Sequence, residues 1–350
     1  MRLEDTLLKE LSEARGISSK EDGIRKIILK AIKDYVDDVH VDSMGNIIAL
    51  QRGNGSVNLR VLLAAHMDEV GFMVTGFDGN GTIKVRNVGG IDGRLLPAMR
   101  VEIGEKKIPG VFTWRPIHMS GHERDVKKVD DMRIDIGVDS KDAAKGKVKL
   151  GDMVTFVAET VTMHGPMVRG KAFDDRAGCV QIIELLKGGP YPVDVIAAFT
   201  VQEEVGVRGA SVLVAATKPD AAIVLETTAS HELPQDEDEP DQTSVTQMGH
   251  GPALYVMDRR TIYHPTFRKH FEDTADKYGI PYQYRSPQFA GGTDAGVIHI
   301  SGAGVPTVAM STPCRYLHSP HIIMNLDDFA HGIDLVRHVL NDLTPDKLER

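Results

Sequence analysis

Apolar residues recur at helical spacing over positions 3–14 and 21–35, with Gly16 and a Ser18-Ser19 pair between them. This spacing predicts two amphipathic helices separated by a capped turn. Positions 39–41 and 47–50 then read as the arms of a hairpin around Ser43-Met44-Gly45-Asn46. Positions 60–65 form a short apolar run, suited to a strand buried on both faces, and it ends at His66. Beyond it the pattern changes. Short strand-like runs follow at 70–77, 82–88, 100–103, 107–114, 132–138 and 153–158, separated by turns such as Asp78-Gly79-Asn80-Gly81 and Gly89-Gly90. Many short strands without a long helical pattern predict a small β-barrel or sandwich. From position 163 the alternation of helix and strand returns. Helices are expected at 174–186, 208–215, 265–277 and 326–340, and strands at 194–200, 221–225 and 306–311. The predicted fold is therefore α/β: a mixed-sheet domain of residues 1–68 and 163–350, interrupted by a small β-barrel insertion at 69–162.

A chain of 350 residues is long enough for such a two-part organisation. Its 41 basic and 50 acidic side chains leave a formal charge of -9, with no basic stripe to follow phosphates, so a nucleic-acid partner is not expected. No apolar run is long enough for a membrane span, and the charged start Met1-Arg2-Leu3-Glu4-Asp5 has no signal-like core. Two cysteines, Cys179 and Cys314, lie far apart and need no disulfide, which fits a cytoplasmic protein. Both read as small buried apolar side chains, with Cys314 close enough to His318 to leave a metal-proximal thiol open. The acidic run at 235–241 reads as a solvated loop that could bias substrate approach electrostatically.

Against this background five potential metal ligands stand at, or just beyond, the ends of buried strands: His66, Asp174, Glu204, Glu226 and His318. Open α/β sheets place ligands there. Carboxylates with two imidazoles and no thiolate suit zinc, cobalt or manganese in a catalytic site. Residues two apart on a strand share a face, so Asp68 can accept from the far nitrogen of His66. Each motif also has a plainer reading. Asp174-Asp175 could offset a helix dipole, Glu203-Glu204 could be a solvated strand end, and Glu226 could pair with an arginine. His321 competes with His318 for the register of its motif. If Glu203-Glu204 is buried, adjacent residues diverge, so one can hold a metal while the other serves as base and acid. Gly291-Gly292-Thr293-Asp294-Ala295-Gly296 reads as a turn opening a helix. Thr293 or Asp294 could cap it, or its exposed amides could receive a substrate carbonyl or carboxylate.

Together, Ala65-His66-Met67-Asp68-Glu69-Val70-Gly71, Phe173-Asp174-Asp175-Arg176, Gln202-Glu203-Glu204-Val205-Gly206, Gly291-Gly292-Thr293-Asp294-Ala295 and Arg315-Tyr316-Leu317-His318-Ser319 resemble one family in fixed order. It is the dinuclear-metal tetrahedral, or glutamyl and leucyl, aminopeptidases of metallopeptidase family forty-two, some of which carry an endoglucanase label. The resemblance implies a zinc-peptidase-like catalytic domain in which the insertion serves oligomerisation and substrate access. It implies that His66, Asp174 and Glu226 hold one divalent metal, and that Asp174 bridges to a second held by Glu204 and His318. A bridging hydroxide would be the nucleophile, Glu203 the general base and acid, and Asp68 the residue orienting His66. Gly292, Thr293, Asp294 and Arg315 are the expected substrate contacts. Two zinc or cobalt ions per subunit, peptide substrates with free N-termini, a cytoplasmic location and a large homo-oligomer, often a dodecamer, are also implied. Many relatives have Asp at the position of Glu226, and often Glu at that of Ile322. A related di-metal deacylase or carboxypeptidase is the nearest alternative. An endoglucanase leaves His66 and His318 without a role.

Overall fold

In a computed structural model the described residues are 7–115, 117–120, 127–230, 232, 246–285 and 291–350. The acidic run at 235–241 lies outside them. The strands, in chain order, begin with β1 (Asp38–Val41), β2 (Ile47–Gln51) and β3 (Arg60–His66). Then come β4 (Gly71–Phe77), β5 (Ile83–Val88), β6 (Arg100–Ile103), β7 (Ile108–Phe112), β8 (Arg133–Asp135) and β9 (Met153–Phe156). The rest are β10 (Val161–Thr162), β11 (Met167–Gly170), β12 (Asp194–Thr200), β13 (Ala221–Ala229), β14 (Ala253–Leu254), β15 (Gln283–Tyr284), β16 (Thr307–Arg315) and β17 (Ile322–Asn325).

Two sheets result. The larger runs β1-β2-β12-β3-β13-β16-β17-β11-β10, with β14 and β15 attached beside β16. Its centre, β12-β3-β13-β16, is parallel, and both flanks are antiparallel. Central parallel strands are covered on both faces, which explains why β3 and β12 read as unbroken apolar runs. The period of two appears in their packing. Val61, Leu63 and Ala65 join the core on one face, with the helices Phe173–Gly188 and Leu326–Asp342. Leu62 and Ala64 point to the other, with Leu213, Tyr255 and Ile298. His66 keeps the parity of Leu62 and Ala64.

The second sheet is a closed barrel, β4-β5-β8-β7-β6-β9. Its own core holds Phe72, Phe112 and Phe156, with the Phe72 ring edge-on to the other two at centroid distances of 4.9 and 5.7 Å. The chain enters it from β3 and leaves it beside the point of entry, since Phe72 pairs with Val154. β10 belongs to the larger sheet, where Val161 pairs with Arg169.

Several local expectations change on inspection. Ser18 and Ser19 do not cap the following helix, Asp22–Ile32. Ser18 Oγ instead donates to Asp68 Oδ2 at 2.6 Å, and the Ser19 amide donates to Glu21. At the helix Phe173–Gly188, Asp174 and Asp175 have non-helical backbone angles, so the regular turns begin after them. The hinge between barrel and sheet is tied by buried charge. Lys171 Nζ lies 2.8 Å from both Glu69 oxygens. The fully buried Arg176 donates to the carbonyls of Leu11, Ala14, Gly16 and Met67.

Candidate metal centre

Each predicted ligand arrives at the carboxyl edge of the parallel core. His66 ends β3, Glu226 lies in β13, and the loops after β12 and β16 carry Glu203-Glu204 and His318. Asp174 enters from the non-helical start of its helix. Its two oxygens face two imidazoles: Oδ1 is 3.3 Å from His66 Nε2, and Oδ2 is 3.3 Å from His318 Nε2. Glu226 Oε1 stands 3.9 Å from His66 Nε2, and Glu204 Oε1 stands 3.5 Å from His318 Nε2. Glu226 has no arginine partner among the described residues. Asp175 also lies close to His66 and Glu226, but its oxygens accept the amides of Gly178 at 2.9 Å and His66 at 3.2 Å. Of the acidic pair, Asp175 caps the helix while Asp174 faces the cluster.

The far nitrogens fix the chemistry. His66 Nδ1 is 3.0 Å from the Asp68 carbonyl, and His318 Nδ1 is 2.7 Å from the Gly90 carbonyl. A carbonyl can only accept, so each Nδ1 carries a proton and each neutral ring turns an Nε2 lone pair toward carboxylate oxygens. Lone pairs facing lone pairs at 3.3 to 3.9 Å require a proton or a cation between them. The donor set accordingly fits divalent metals.

Without cations the cluster redistributes protons. Burial disfavours a charged His66, yet Glu226, Asp174 and Asp68 outweigh it and push its pKa well up. His318 is likewise opposed by burial but raised to about 9 by Asp174 and Glu204. Burial, then the Asp174 charge, lifts Glu204 to about 7. Burial pushes Glu203 and Glu226 well up, with neighbouring carboxylates adding to it. Asp174 goes the other way, because hydrogen bonds from both imidazoles overcome its burial.

Asp68 departs from its predicted partner. Its carboxylate is 3.6 Å from His66 Nδ1, beyond a hydrogen bond, and the carbonyl takes that place. The carboxylate is engaged instead by the Ser18 hydroxyl and the amides of Glu203 at 3.0 Å and Glu204 at 3.2 Å. Glu21 accepts the preceding amide, Gln202, at 3.2 Å. Two buried carboxylates thus hold three consecutive amides of the loop carrying Glu203 and Glu204.

The ligands open onto a cavity of about 740 Å³, also lined by Glu203, Gly292 and Thr293. Asp294 is buried, pushed up to about 6 mainly by burial, and accepts the Thr200 hydroxyl at 2.6 Å. Thr293 Oγ1, rather than Asp294, accepts the Ala295 amide. Arg315 is not among the cavity-lining residues and pairs with Glu232 at 3.1 Å. Both cysteines are buried and free, and Cys314 belongs to the apolar core. Sequence reasoning missed Gly90, Glu21, and the arginines 259, 260 and 285 on the cavity wall. Only the doublet Arg259-Arg260 carries a local signal that could have flagged it.

The profile of the M42 glutamyl aminopeptidase family matches residues 45–335. The chain belongs to the M42 aminopeptidase family. Members are metal-dependent peptide hydrolases, and this one is an enzyme of that class. It is 31% identical over 349 residues to the lysyl aminopeptidase of Pyrococcus furiosus, with 97% of each chain covered. A TET aminopeptidase from the archaeon Thaumarchaeota archaeon SCGC AB-539-E09 superposes with a TM-score of 0.91 at 32% identity, covering 98% of this chain and 97% of that one. The TET1 peptidase of Pyrococcus horikoshii, described as assembling into a tetrahedron or a large octahedral shell, gives 0.85 at 34% identity, with 96% and 98% covered. The α/β fold with its barrel is therefore a family architecture, and in this chain the acidic and imidazole cluster sits at the carboxyl edge of the sheet.

Proposed function

We propose that this M42 enzyme removes the N-terminal residue of peptides using two divalent metals, zinc, cobalt or manganese. The observation that carries the reading is Asp174, each of whose oxygens faces a different imidazole lone pair at 3.3 Å. His66, Asp174 and Glu226 would hold one ion, and Asp174, Glu204 and His318 the other. When bound, the ions supply Lewis-acid polarisation of the scissile carbonyl and acidify the attacking water.

The remaining chemistry belongs to the protein. Glu203 lines the cavity beside the cluster, and its backbone is held through its amide by Asp68 at 3.0 Å. It takes the proton of the attacking water and delivers it to the departing amine. The carbonyls of Asp68 and Gly90 keep both imidazoles in the tautomer that presents Nε2. Gly292 and Thr293, at the cavity wall, contact the substrate backbone. The TET relatives support a homo-oligomer, in which the barrel serves assembly and access, and the substrates are peptides of the cytoplasm. No helix of the described residues is long and apolar enough to cross a membrane.

The test is release of the N-terminal residue from unblocked aminoacyl-anilides and peptides after chelator stripping and separate reloading with each metal. Metal-restored cleavage confined to free N-termini is the expected result. No cleavage at verified metal occupancy, with release from N-acyl substrates instead, would replace this reading by a deacylase.

A further inference from the structure

The loop after β12 carries both Glu203 and Glu204, and it is gripped by side chains that take no part in the chemistry. Every amide from Val201 to Glu204 donates to a side chain from the N-terminal part of the chain. Val201 donates to Asn46 Oδ1 at 3.0 Å and Gln202 to Glu21 Oε1 at 3.2 Å, while Glu203 and Glu204 donate to the two oxygens of Asp68. Sheet pairing explains the first contact. Phe199 of β12 lies opposite Ile47 of β2, so Asn46, one residue before β2, stands beside the chain as it leaves β12. Asn46 Nδ2 donates to the Gly209 carbonyl at 3.0 Å, and the Gly209 amide donates to the Val201 carbonyl at 3.0 Å. Asn46 therefore joins the two ends of the loop. Asp42 locks the turn behind it: Oδ1 accepts the amides of Met44, Gly45 and Asn46, and Oδ2 accepts Asn46 Nδ2 at 2.7 Å. A Cβ on Gly209 would run into Asn46 Oδ1, so the loop closes this tightly only on a glycine.

Both braces are buried. Glu21, at the start of the helix Asp22–Ile32, uses one oxygen for two amides, those of Ser19 at 2.8 Å and Gln202. It thereby holds Gln202 at a φ of +56°. A residue with a side chain keeps that left-handed conformation only where its surroundings over-determine it. The conformation sets the direction of the next two residues. Glu203 faces the cavity and Glu204 faces His318, so a rotation of the peptide between Gln202 and Glu203 would turn both away. Water abstraction depends on such aim, because a base acts only within hydrogen-bond reach of its proton. We infer that Glu21 and Asn46 are positioning residues, which act through the backbone of residues 201–204 to aim Glu203 at the attacking water and Glu204 at its metal. The inference rests on the aminopeptidase reading above and adds two residues to it.

Glu21→Met keeps the volume of the side chain and removes the acceptor, whereas Glu21→Gln keeps an acceptor without the charge. At verified metal occupancy, Glu21→Met should lose about ten- to a hundredfold in kcat, the effect of a misplacement of about 1 Å, with little change in KM. Glu21→Gln should recover most of that loss, and Asn46→Ala should lose kcat as Glu21→Met does. Ile28→Ala, a core position of the helix that Glu21 begins, is the stability control: it should lower the melting temperature and leave kcat alone. A kcat in Glu21→Met or Asn46→Ala no lower than in Ile28→Ala, or no recovery in Glu21→Gln, overturns the inference. If Asn46→Ala does not fold, the Glu21 pair still decides. A wild type that cleaves no free N-terminus would sink the aminopeptidase reading instead. The braces are then read without turnover by calorimetric titration with zinc. The weaker zinc step should fall about tenfold in affinity in Glu21→Met and return in Glu21→Gln, and identical isotherms refute the inference.

Discussion

At the scale of single residues, the roles proposed for the neighbours Glu203 and Glu204 differ by what faces each side chain. Glu204 reaches His318 at 3.5 Å, whereas Glu203 faces the cavity without an imidazole at ion-pair distance among the described residues. Glu203→Gln should keep metal content and lose about 10²–10⁴ in kcat, the usual worth of a general base. Parallel metal analysis and rate measurement check it, and full activity would remove Glu203 from the mechanism. Protons and metals compete for the same atoms. In the metal-free protein His318 holds its proton up to about pH 9 and Glu204 up to about 7. Metal affinity should therefore rise with pH up to about 9, by as much as tenfold per pH unit for each displaced proton. Stability of the metal-free form should move oppositely. A raised histidine contributes stability below its ordinary 6.5 that is lost as pH passes 9, and a raised glutamate contributes below 4.5 what is lost by 7. Melting temperatures of chelated protein should fall from pH 5 to 9, while loading with metal reverses the trend. A flat profile would contradict the proton distribution described for the cluster.

At the scale of elements, strands buried on both faces were the most legible part of the chain. β12 spans the predicted positions 194–200, and β3 adds only His66 to its apolar run. The apolar run predicts an end to β16 at 311, but the strand continues to Arg315 through Pro313. On one side Pro313 pairs with Thr228 of β13, while on the other it falls between the stretches paired with β14 and β17. A proline without an amide is tolerated at such a gap, and no local pattern reveals it. β11 and β17 went unread because Val168 finds Met324 across 156 positions of sequence, in four-residue strands with no periodicity to display. The cluster of His66, Asp174, Glu204, Glu226 and His318 was legible as a set because its residue types coincide with strand ends in sequence. Their supports were not: Gly90 and His318 are 228 residues apart. The buried pair Lys171–Glu69 belongs to this hidden layer and joins the start of the barrel to the helix bearing Asp174. Lys171→Met should cost up to about 3–5 kcal/mol, since it removes the nearer cation from a buried carboxylate and leaves it only Arg176 at 3.8 Å. Adding Glu69→Gln should recover a large part, because the amide still accepts from Gly16 without a charge. Denaturant midpoints of the two variants would show it, and equal losses would mean that the pair acts through packing alone.

At the scale of the whole molecule, the barrel is more than an appendage to the sheet. Its β5 leads into Gly89-Gly90, whose second carbonyl sets the tautomer of His318 at 2.7 Å. In the two-metal arrangement proposed above, the first position would draw on His66, Asp174 and Glu226, all from the larger sheet and its helix, while the second would depend on the barrel for the orientation of His318. Chain geometry makes the separation testable, because β4 and β9 are paired neighbours and the insertion can be excised by a short link between them. A chain lacking residues 71–156 should retain one tightly bound metal and lose most affinity for the second. The usual cost of removing an outer hydrogen-bond partner is about 10–100-fold. Two-step calorimetric titration with zinc, alongside circular dichroism to verify the remaining sheet, reads both sites at once. The same variant should change native mass if the barrel carries assembly contacts. Unaltered affinity at both positions would confine the barrel to assembly and access. Weakening of the second position alone would make metal loading a property of the two domains together, so that any motion between them becomes a control on the reaction.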